Sequence, residues 1–214
     1  QRAGHLRDAG GARGGDASDP WTAIGAIVNI ETSNMELGEY ETNSRFLASV
    51  IADSTGSDSL ASRSPLILSR FGRLHMRLGR LDSARYWVER ALLREDDLGP
   101  IWSVEARTTA AEVMYRLGDM AHFGVHRDAV ERMTATREPG RKTEVQYLEI
   151  LTFTTSGDAL NTGIRSALEA AGYGDRKPRQ DRLVGHLLVA AERLNVARQF
   201  QSARAYADRA CAIG

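Results

Sequence analysis

The stretch RFGRLHMRLGRLDSARYWVERAL, residues 70–92, predicts two amphipathic helices that fold back on each other at Gly79. Apolar side chains recur at helical spacing on both sides of this glycine, so each segment has one apolar face. A glycine between two helices allows the left-handed backbone that a tight helix-to-helix turn requires. Residues 70–92 therefore predict a helical hairpin.

Turn signals of the same kind recur along the chain at a nearly constant interval. Besides Gly79 they lie at Gly38, Gly118, Gly157 and Arg198, and successive positions are 41, 39, 39 and 41 residues apart. A nearly fixed period is typical of stacked hairpins, in which each unit covers the apolar face of its neighbour. The sequence thus predicts an all-α fold of about five antiparallel helical hairpins.

Composition divides the chain into a tail and a repeat domain. Residues 1–20 are rich in glycine and charged residues and contain few apolar ones, so they cannot bury enough surface to offset the entropy of ordering them. We expect residues 1–20 to be a flexible tail or linker and residues 21–214 to form the helical repeat domain. The predicted units are residues 21–57, 64–98, 99–137, 141–174 and 179–214. Residues 143–155 are rich in β-branched and aromatic side chains, so a strand is the alternative to a helix there.

One set of residues in the second unit has the spacing of a known repeat. The set comprises Leu68, Phe71, Gly72, Gly79, Ala84, Val88 and Ala91. It resembles the tetratricopeptide repeat (TPR), in which small residues let the two helices of a hairpin approach closely. The last unit reproduces the pattern with Ala191, Leu194, Ala203, Ala207 and Ala210. In that unit Arg198 replaces the turn glycine.

The resemblance covers residues 24–213 and is looser in the other three units. The first unit has Glu31 where a small residue is expected and Asn43 in place of the first alanine, and the third unit has Phe123 in place of an alanine. The period also exceeds the about 34 residues of the family, as in degenerate bacterial versions. The resemblance implies a right-handed α-solenoid, a TPR-like superhelix whose inner groove is lined by the first helix of each hairpin and binds proteins.

Positions offset from the packed stripe of the first helices are expected to line this groove. They are Asn29, Arg70, Arg73, Arg77, Glu112, Tyr115, Arg116, Glu192 and Asn195. The spacing of Arg70, Arg73 and Arg77 puts three guanidinium groups on one helix face, where each can bind a carboxylate bidentately. The alternative is an exposed arginine-rich face paired with nearby acids such as Asp82 and Glu89. Family members that capture a peptide carboxylate use a lysine, and no lysine occurs at these positions.

The last predicted helix has two apolar surfaces. Ala203, Ala207 and Ala210 form a stripe that faces the preceding helix. The second surface is an expected end-packing surface of Tyr206, Ala212 and Ile213. Because a solenoid end normally carries a polar cap, we expect either that the natural chain continues past Gly214 or that another subunit packs there.

Composition argues against several functional classes. The 28 basic and 28 acidic residues cancel, so no overall field attracts nucleic acid or an anionic membrane surface. No apolar run reaches the roughly 18 to 20 residues that a membrane span needs. The single cysteine, Cys211, allows neither an intrachain disulfide nor a cysteine-based zinc site. We therefore expect no nucleic-acid partner and no transmembrane segment.

The sequence also lacks the known short signatures of catalysis. It contains no serine-hydrolase elbow, no zinc-protease motif and no phosphate-binding loop. His122 and His126 are the only histidine pair at ligand spacing, and no acidic or cysteine partner completes a set. The sequence thus predicts no catalytic residue, no metal and no cofactor. An enzyme whose site is assembled from scattered residues is the weakest alternative.

These observations favour a non-catalytic scaffold for protein–protein interaction. The leading hypothesis is a TPR-like adaptor, or an extrinsic subunit that docks on a larger bacterial complex and contacts a membrane only through its partners. The alternative is the repeat segment of a longer signalling or regulatory protein, of the kinase or transcriptional-regulator type. The chain begins at Gln1 rather than at methionine, so a processed extracytoplasmic (periplasmic) location and a cytoplasmic one are equal alternatives.

Overall fold

Ten α-helices make up most of the residues that the computed structural model describes, which are 20–52, 64–135, 143–172 and 180–213. The helices are α1 (Pro20–Glu36), α2 (Tyr40–Ala52), α3 (Pro65–Arg77), α4 (Leu81–Leu92), α5 (Pro100–Leu117), α6 (Met120–Ala135), α7 (Thr143–Thr152), α8 (Gly157–Ala170), α9 (Gln180–Val196) and α10 (Phe200–Cys211). A 3-10 helix, Glu95–Asp97, connects α4 to α5. The described residues contain no strand, which confirms the all-α prediction. Apart from Pro20, the predicted tail lies outside these residues.

Prolines begin three of the described helices. Pro20 starts α1, Pro65 starts α3 and Pro100 starts α5. The fixed φ of proline suits the first helical position, where the missing N–H would have had no partner. Ser64 precedes α3, and its hydroxyl forms no capping hydrogen bond with the helix.

Residues 143–152 form helix α7, so the strand alternative for this segment is wrong. The helix ends three residues before the predicted boundary, and residues 153–156 are not helical. The Phe153 ring packs against the core, close to Gly163 of α8. Its main-chain oxygen accepts a hydrogen bond from Arg193 of α9. These contacts with the following helices replace the last turn of α7.

All five predicted turn positions have a left-handed backbone. The φ angle is +72° at Gly38 and Gly79, +77° at Gly118, +61° at Gly157 and +59° at Arg198. Four of these turns close with the hydrogen-bond pair of a Schellman motif. In the second hairpin, for example, the Gly79 N–H donates to the Met76 oxygen at 3.0 Å and the Arg80 N–H donates to the His75 oxygen at 2.9 Å. Gly157 differs because it follows residues 153–156 and begins α8.

Replacing Arg198 with glycine should stabilise the protein by about 0.5 to 1 kcal/mol, because glycine adopts a positive φ without the clash of a Cβ atom. The Arg198 side chain is exposed and forms no hydrogen bond or ion pair with another described residue, so little is lost with it. Urea unfolding of the variant measures the change. Arg198→Ala is the control, since it removes the side chain but keeps Cβ, and an equal gain in that variant would contradict the prediction.

The helices pair in sequence order, and each hairpin contacts the next. The second helix of each hairpin contacts the first helix of the following one, and α3, α5, α7 and α9 also contact each other in series. The tightest approach is between α3 and α4, where a Cβ atom built on Gly72 would lie 2.5 Å from Val88 Cγ1 and 3.2 Å from the Ala84 oxygen. Gly72 and Ala84, two of the predicted small positions, therefore allow these helices to touch.

The apolar core is divided between the two ends of the molecule. One cluster joins α1, α2 and α3 around Ile24, Leu47 and Phe71. A larger cluster joins α5 to α10. Between them lies a small cluster that contains Met76 and Val113. Charged side chains also connect α3 with α5, and they belong to the candidate site.

Candidate functional site on the first helices

A buried acidic residue joins the first two hairpins. Glu31 of α1 is fully buried, and its carboxylate accepts hydrogen bonds from Arg70 and Arg73 of α3, the second at 3.4 Å. Asn43 of α2 is also fully buried, and its side-chain amide donates to the main-chain oxygen of Glu31 at 3.2 Å. Glu31 and Asn43 are the positions at which the first unit departs from the repeat pattern. The two departures are therefore partners in space.

Glu105 of α5 extends this network to the third hairpin. Its carboxylate accepts a hydrogen bond from Arg73 at 2.7 Å and lies 3.8 Å from Arg70. The Arg70 guanidinium also lies over the Trp102 ring, 5.2 Å from its centroid. Burial lowers the pKa of Arg73, but the carboxylates of Glu105 and Glu31 outweigh it, so the pKa is raised. We call Glu31, Arg70, Arg73 and Glu105 the charge network.

Two of the three arginines predicted to bind a partner form ion pairs within the protein instead. Arg70 is buried, and the Arg73 side chain is only 25% exposed. Both arginines pair with acids, as the alternative prediction expects, but the acids belong to α1 and α5 rather than being Asp82 or Glu89. Arg77 is the exposed member of the three.

A second polar cluster lies further along α5. The Tyr147 hydroxyl of α7 donates to Glu112 at 2.6 Å, and both residues are buried. Arg116 donates to Glu112 at 3.0 Å and to Glu192 of α9 at 3.4 Å. Burial, together with the Glu112 carboxylate, holds the pKa of Tyr147 well above its usual range. The hydroxyl therefore stays protonated and donates to Glu112 at neutral pH.

Arg193 of α9 belongs to the second polar cluster. We call the charge network, this cluster and Arg77, all of which lie on the first helices of the hairpins, the first-helix face. The Arg193 guanidinium donates to the Tyr115 hydroxyl at 3.2 Å and to the main-chain oxygen of Phe153. Together with the contact between Arg116 and Glu192, these hydrogen bonds bring α9 against α5. The structure thus brings together four of the predicted groove residues, which are Glu112, Tyr115, Arg116 and Glu192.

Four residues of this face are not among the predicted site residues. They are Glu31, Glu105, Tyr147 and Arg193. Glu31 does carry a signal, because an acidic residue where the repeat has a small one must find a partner if it is buried. The others are polar residues on amphipathic helices. Their spacing does not distinguish a paired inward charge from a solvated one.

A small cavity stays open beside the second cluster. It has a volume of about 120 Å³ and is lined by Met76, Arg77, Glu112 and Arg116. Arg77 is exposed and forms no ion pair with another described residue. The predicted groove residues Asn29 and Asn195 are exposed too, and their side chains form no hydrogen bond within the described part of the chain.

The predicted end-packing surface on the last helix is partly covered by the helix's own contacts. Tyr206 and Ile213 pack against the large core cluster, whereas Ala212 is exposed. The exposed polar residues of α10 include Gln201, Arg204, Asp208 and Arg209. Phe200, at the start of α10, is 63% exposed, so the outer side of this helix carries apolar as well as polar side chains, and the end-packing surface stays a prediction.

The two histidines at ligand spacing have different surroundings. His122 is exposed, and its Nδ1 lies 2.8 Å from the Asp119 carboxylate. His126 is buried, and its Nδ1 lies 3.1 Å from a guanidinium nitrogen of Arg107. Burial, followed by the positive charge of Arg107, lowers the pKa of His126 to about 4. Within the described ranges no group of three His, Cys, Asp or Glu side chains is arranged to hold a metal ion.

The free energy of unfolding should depend on His126 at mildly acidic pH. Because the pKa of His126 is lower in the fold than the ordinary 6.5, the unfolded chain binds a proton more readily, and stability falls as the pH drops from 6.5 towards 4. Between about pH 7 and pH 4.5, the wild type should lose about 1 to 3 kcal/mol more than His126→Gln. Urea unfolding at both pH values measures this difference, and equal losses in the two proteins would refute it.

None of the described helices combines the length and the apolar character that crossing a bilayer requires. Comparison with protein-family models, with curated proteins and with solved structures gave no match to this chain. The functional interpretation therefore depends on the residues and contacts of the first-helix face.

Proposed function

We propose that this protein is a non-catalytic scaffold that binds a partner protein, a subunit of a larger assembly, through the face formed by its first helices. Hairpins that pair in sequence order, with α3, α5, α7 and α9 in contact in series, support a TPR-like α-solenoid. The TPR-like spacing of the second and last units agrees with this arrangement. Solenoids of this kind present extended surfaces for binding.

The observation that carries this proposal is the charge of Arg77, which has no ion-pair partner among the described residues. The other arginines of the face, Arg70, Arg73, Arg116 and Arg193, each donate to an acceptor inside the protein. Arg77 is exposed at the small cavity, where Arg116 is its cationic neighbour. A guanidinium group binds a carboxylate through two parallel hydrogen bonds. An acidic side chain of the partner fits this place.

The neighbouring acids restrict which partners fit. Glu112 lines the same cavity as Arg77, and Glu192 is exposed beside Arg116. A long anionic segment would bring like charges against these two carboxylates, and such contacts disfavour wrong partners. We therefore expect the partner to present a single acidic residue flanked by neutral ones.

Co-purification from the native source with tagged variants tests the proposal. Arg77→Glu should reduce recovery of the partner at least about tenfold, because it places a like charge against the acidic residue. Arg204→Glu is the matched control, since Arg204 is an exposed helical arginine on α10 whose only ion pair in the described chain is with Asp208. That variant should recover the partner as the wild type does.

The melting temperature of each variant separates binding from folding. Both reversals should leave it close to that of the wild type, because both side chains are exposed. Recovery of no partner by the wild type, or equal recovery with Arg77→Glu and Arg204→Glu, would refute the proposed role of this face.

A further inference from the structure

A second and larger groove lies away from the first-helix face. It has a volume of about 490 Å³ and is formed by the 3-10 helix between α4 and α5, the first half of α5 and the last turns of α6. Arg107 lines this groove, and Arg116 lines the small cavity. The two residues are nine positions apart in α5, about 14 Å along the helix axis. The groove and the cavity are therefore separate sites.

Opposite charges lie on the two sides of the groove. Asp96 of the 3-10 helix and Arg132 of α6 are both exposed, and neither forms an ion pair with another described residue. The other charged pair of the groove is satisfied internally, because Arg107 donates two hydrogen bonds to Glu95, the Nε one at 2.9 Å. The groove thus offers one carboxylate and one guanidinium group to a ligand.

Apolar side chains also line the groove, beside Ser103 and the pair formed by Arg107 and Glu95. Leu98 and Ala129 are buried, and the half-buried Met133 packs against the large core cluster. The Ser103 hydroxyl lies 3.4 Å from the main-chain oxygens of Leu98 and Gly99, to which it donates. A ligand that matches this groove therefore combines apolar groups with one positive and one negative charge.

We propose that the groove binds a short extended peptide segment of a partner protein, with a basic side chain at Asp96, an acidic side chain at Arg132 and apolar side chains in the same segment. The groove is open to solvent, whereas small-molecule sites enclose most of the surface of their ligand. A peptide segment suits an open groove because the rest of the partner protein covers the side of the peptide that faces away from the groove. This inference does not rest on the first-helix face, since it concerns a different surface.

NMR of the protein with ¹³C-labelled methionine methyl groups tests the proposal. Met133 lines the groove, Met76 lines the small cavity and Met114 is fully buried, so the three signals report different places. The probes are the end-capped peptide Lys-Leu-Ala-Leu-Ala-Glu, its reverse Glu-Ala-Leu-Ala-Leu-Lys and the neutral Gln-Leu-Ala-Leu-Ala-Gln. Both directions are used because the charges alone do not set the chain direction. A mixture of free lysine, leucine and glutamate is the small-molecule probe.

One of the charged peptides should shift the Met133 signal saturably and bind about three- to tenfold more tightly than the neutral peptide, as two exposed ion pairs allow. The Met76 and Met114 signals should stay in place. Asp96→Asn and Arg132→Gln should each reduce the affinity for the charged peptide towards that of the neutral one. Arg204→Gln, which removes an exposed arginine far along the chain, should leave the affinity unchanged.

Four outcomes would overturn the proposal. The first is a Met133 signal that neither charged peptide moves at millimolar concentration. The second is equal binding of the neutral peptide, which would show that Asp96 and Arg132 do not contribute to binding. The third is an equal shift of the Met133 signal with the free amino acids, which would assign the groove to small molecules. The fourth is a shift of Met76 alone, which would leave the proposed function of the first-helix face standing and reject this one.

Discussion

Glu31→Gln should lower the free energy of unfolding by about 3 to 5 kcal/mol, the usual cost of removing one partner from a buried ion pair. The substitution keeps the size of the side chain but removes its charge. It leaves the buried Arg70 and the partly buried Arg73 with Glu105 as their only charged partner in the charge network. Chemical denaturation measures the loss, provided that the m-value is unchanged.

Glu41→Gln is the matched control for this prediction. Glu41 forms an ion pair with Arg80 at 2.8 Å, but the two side chains are 62% and 45% exposed. An exposed pair contributes less than about 1 kcal/mol, so this variant should unfold almost like the wild type. Equal losses of unfolding free energy for Glu31→Gln and Glu41→Gln would contradict the prediction, because a buried ion pair would then contribute no more to stability than an exposed one.

Gly72→Ala and Gly124→Ala should change stability in opposite directions. Both glycines lie inside helices, so alanine improves the helix propensity by about 0.5 to 1 kcal/mol at either position. At Gly72 the new Cβ atom would meet Val88 Cγ1 at 2.5 Å and the Val88 main-chain nitrogen at 3.1 Å, whereas at Gly124 it would meet nothing within 4 Å. Because the propensity gain is the same, the difference in unfolding free energy between the two variants measures the cost of overpacking at Gly72, about 1 to 3 kcal/mol.

The contact between α3 and α4 gives a further check on this prediction. Gly72→Ala/Val88→Ala removes the methyl groups that the new Cβ would meet first, so the double variant should show less overpacking than the sum of the two single substitutions implies. Strict additivity of the two substitutions, measured by thermal or urea unfolding, would contradict the close approach of the two helices at Gly72.

The helices and turns could be predicted from the sequence because their signals are local. Positive φ at Gly79 and the Schellman hydrogen bonds depend on residues within one turn of the chain. The periodic apolar residues of α3 and α4 similarly specify which face is buried. The boundary of α7 was less predictable, because Phe153 leaves the helix for contacts with α8 and α9.

The candidate site was predictable only in part. The repeat pattern predicts that the first helices form one face and puts Arg70, Arg73 and Arg77 alike on it, whereas the structure leaves only Arg77 exposed. It gives no signal for the burial of Arg70, because an arginine at the same helical position is equally suited to solvent. Glu31 is recognisable in the sequence as a departure from the repeat pattern, but the sequence does not indicate that Arg70 is its partner.

The amino-acid sequence is sufficient to specify an all-helical chain with turns about 40 residues apart, because helix propensity, apolar period and turn glycines act over a few neighbouring residues. Tertiary packing specifies which charges meet, since Glu31 and Arg70 are 39 residues apart in the chain. Arg116 and Glu192 are 76 residues apart. Such pairs form when separate hairpins come together, and the packing buries the first pair while Glu192 in the second stays exposed. Tertiary packing also decides that Arg77, which lines the small cavity with Arg116, stays exposed and has no ion-pair partner in the described chain.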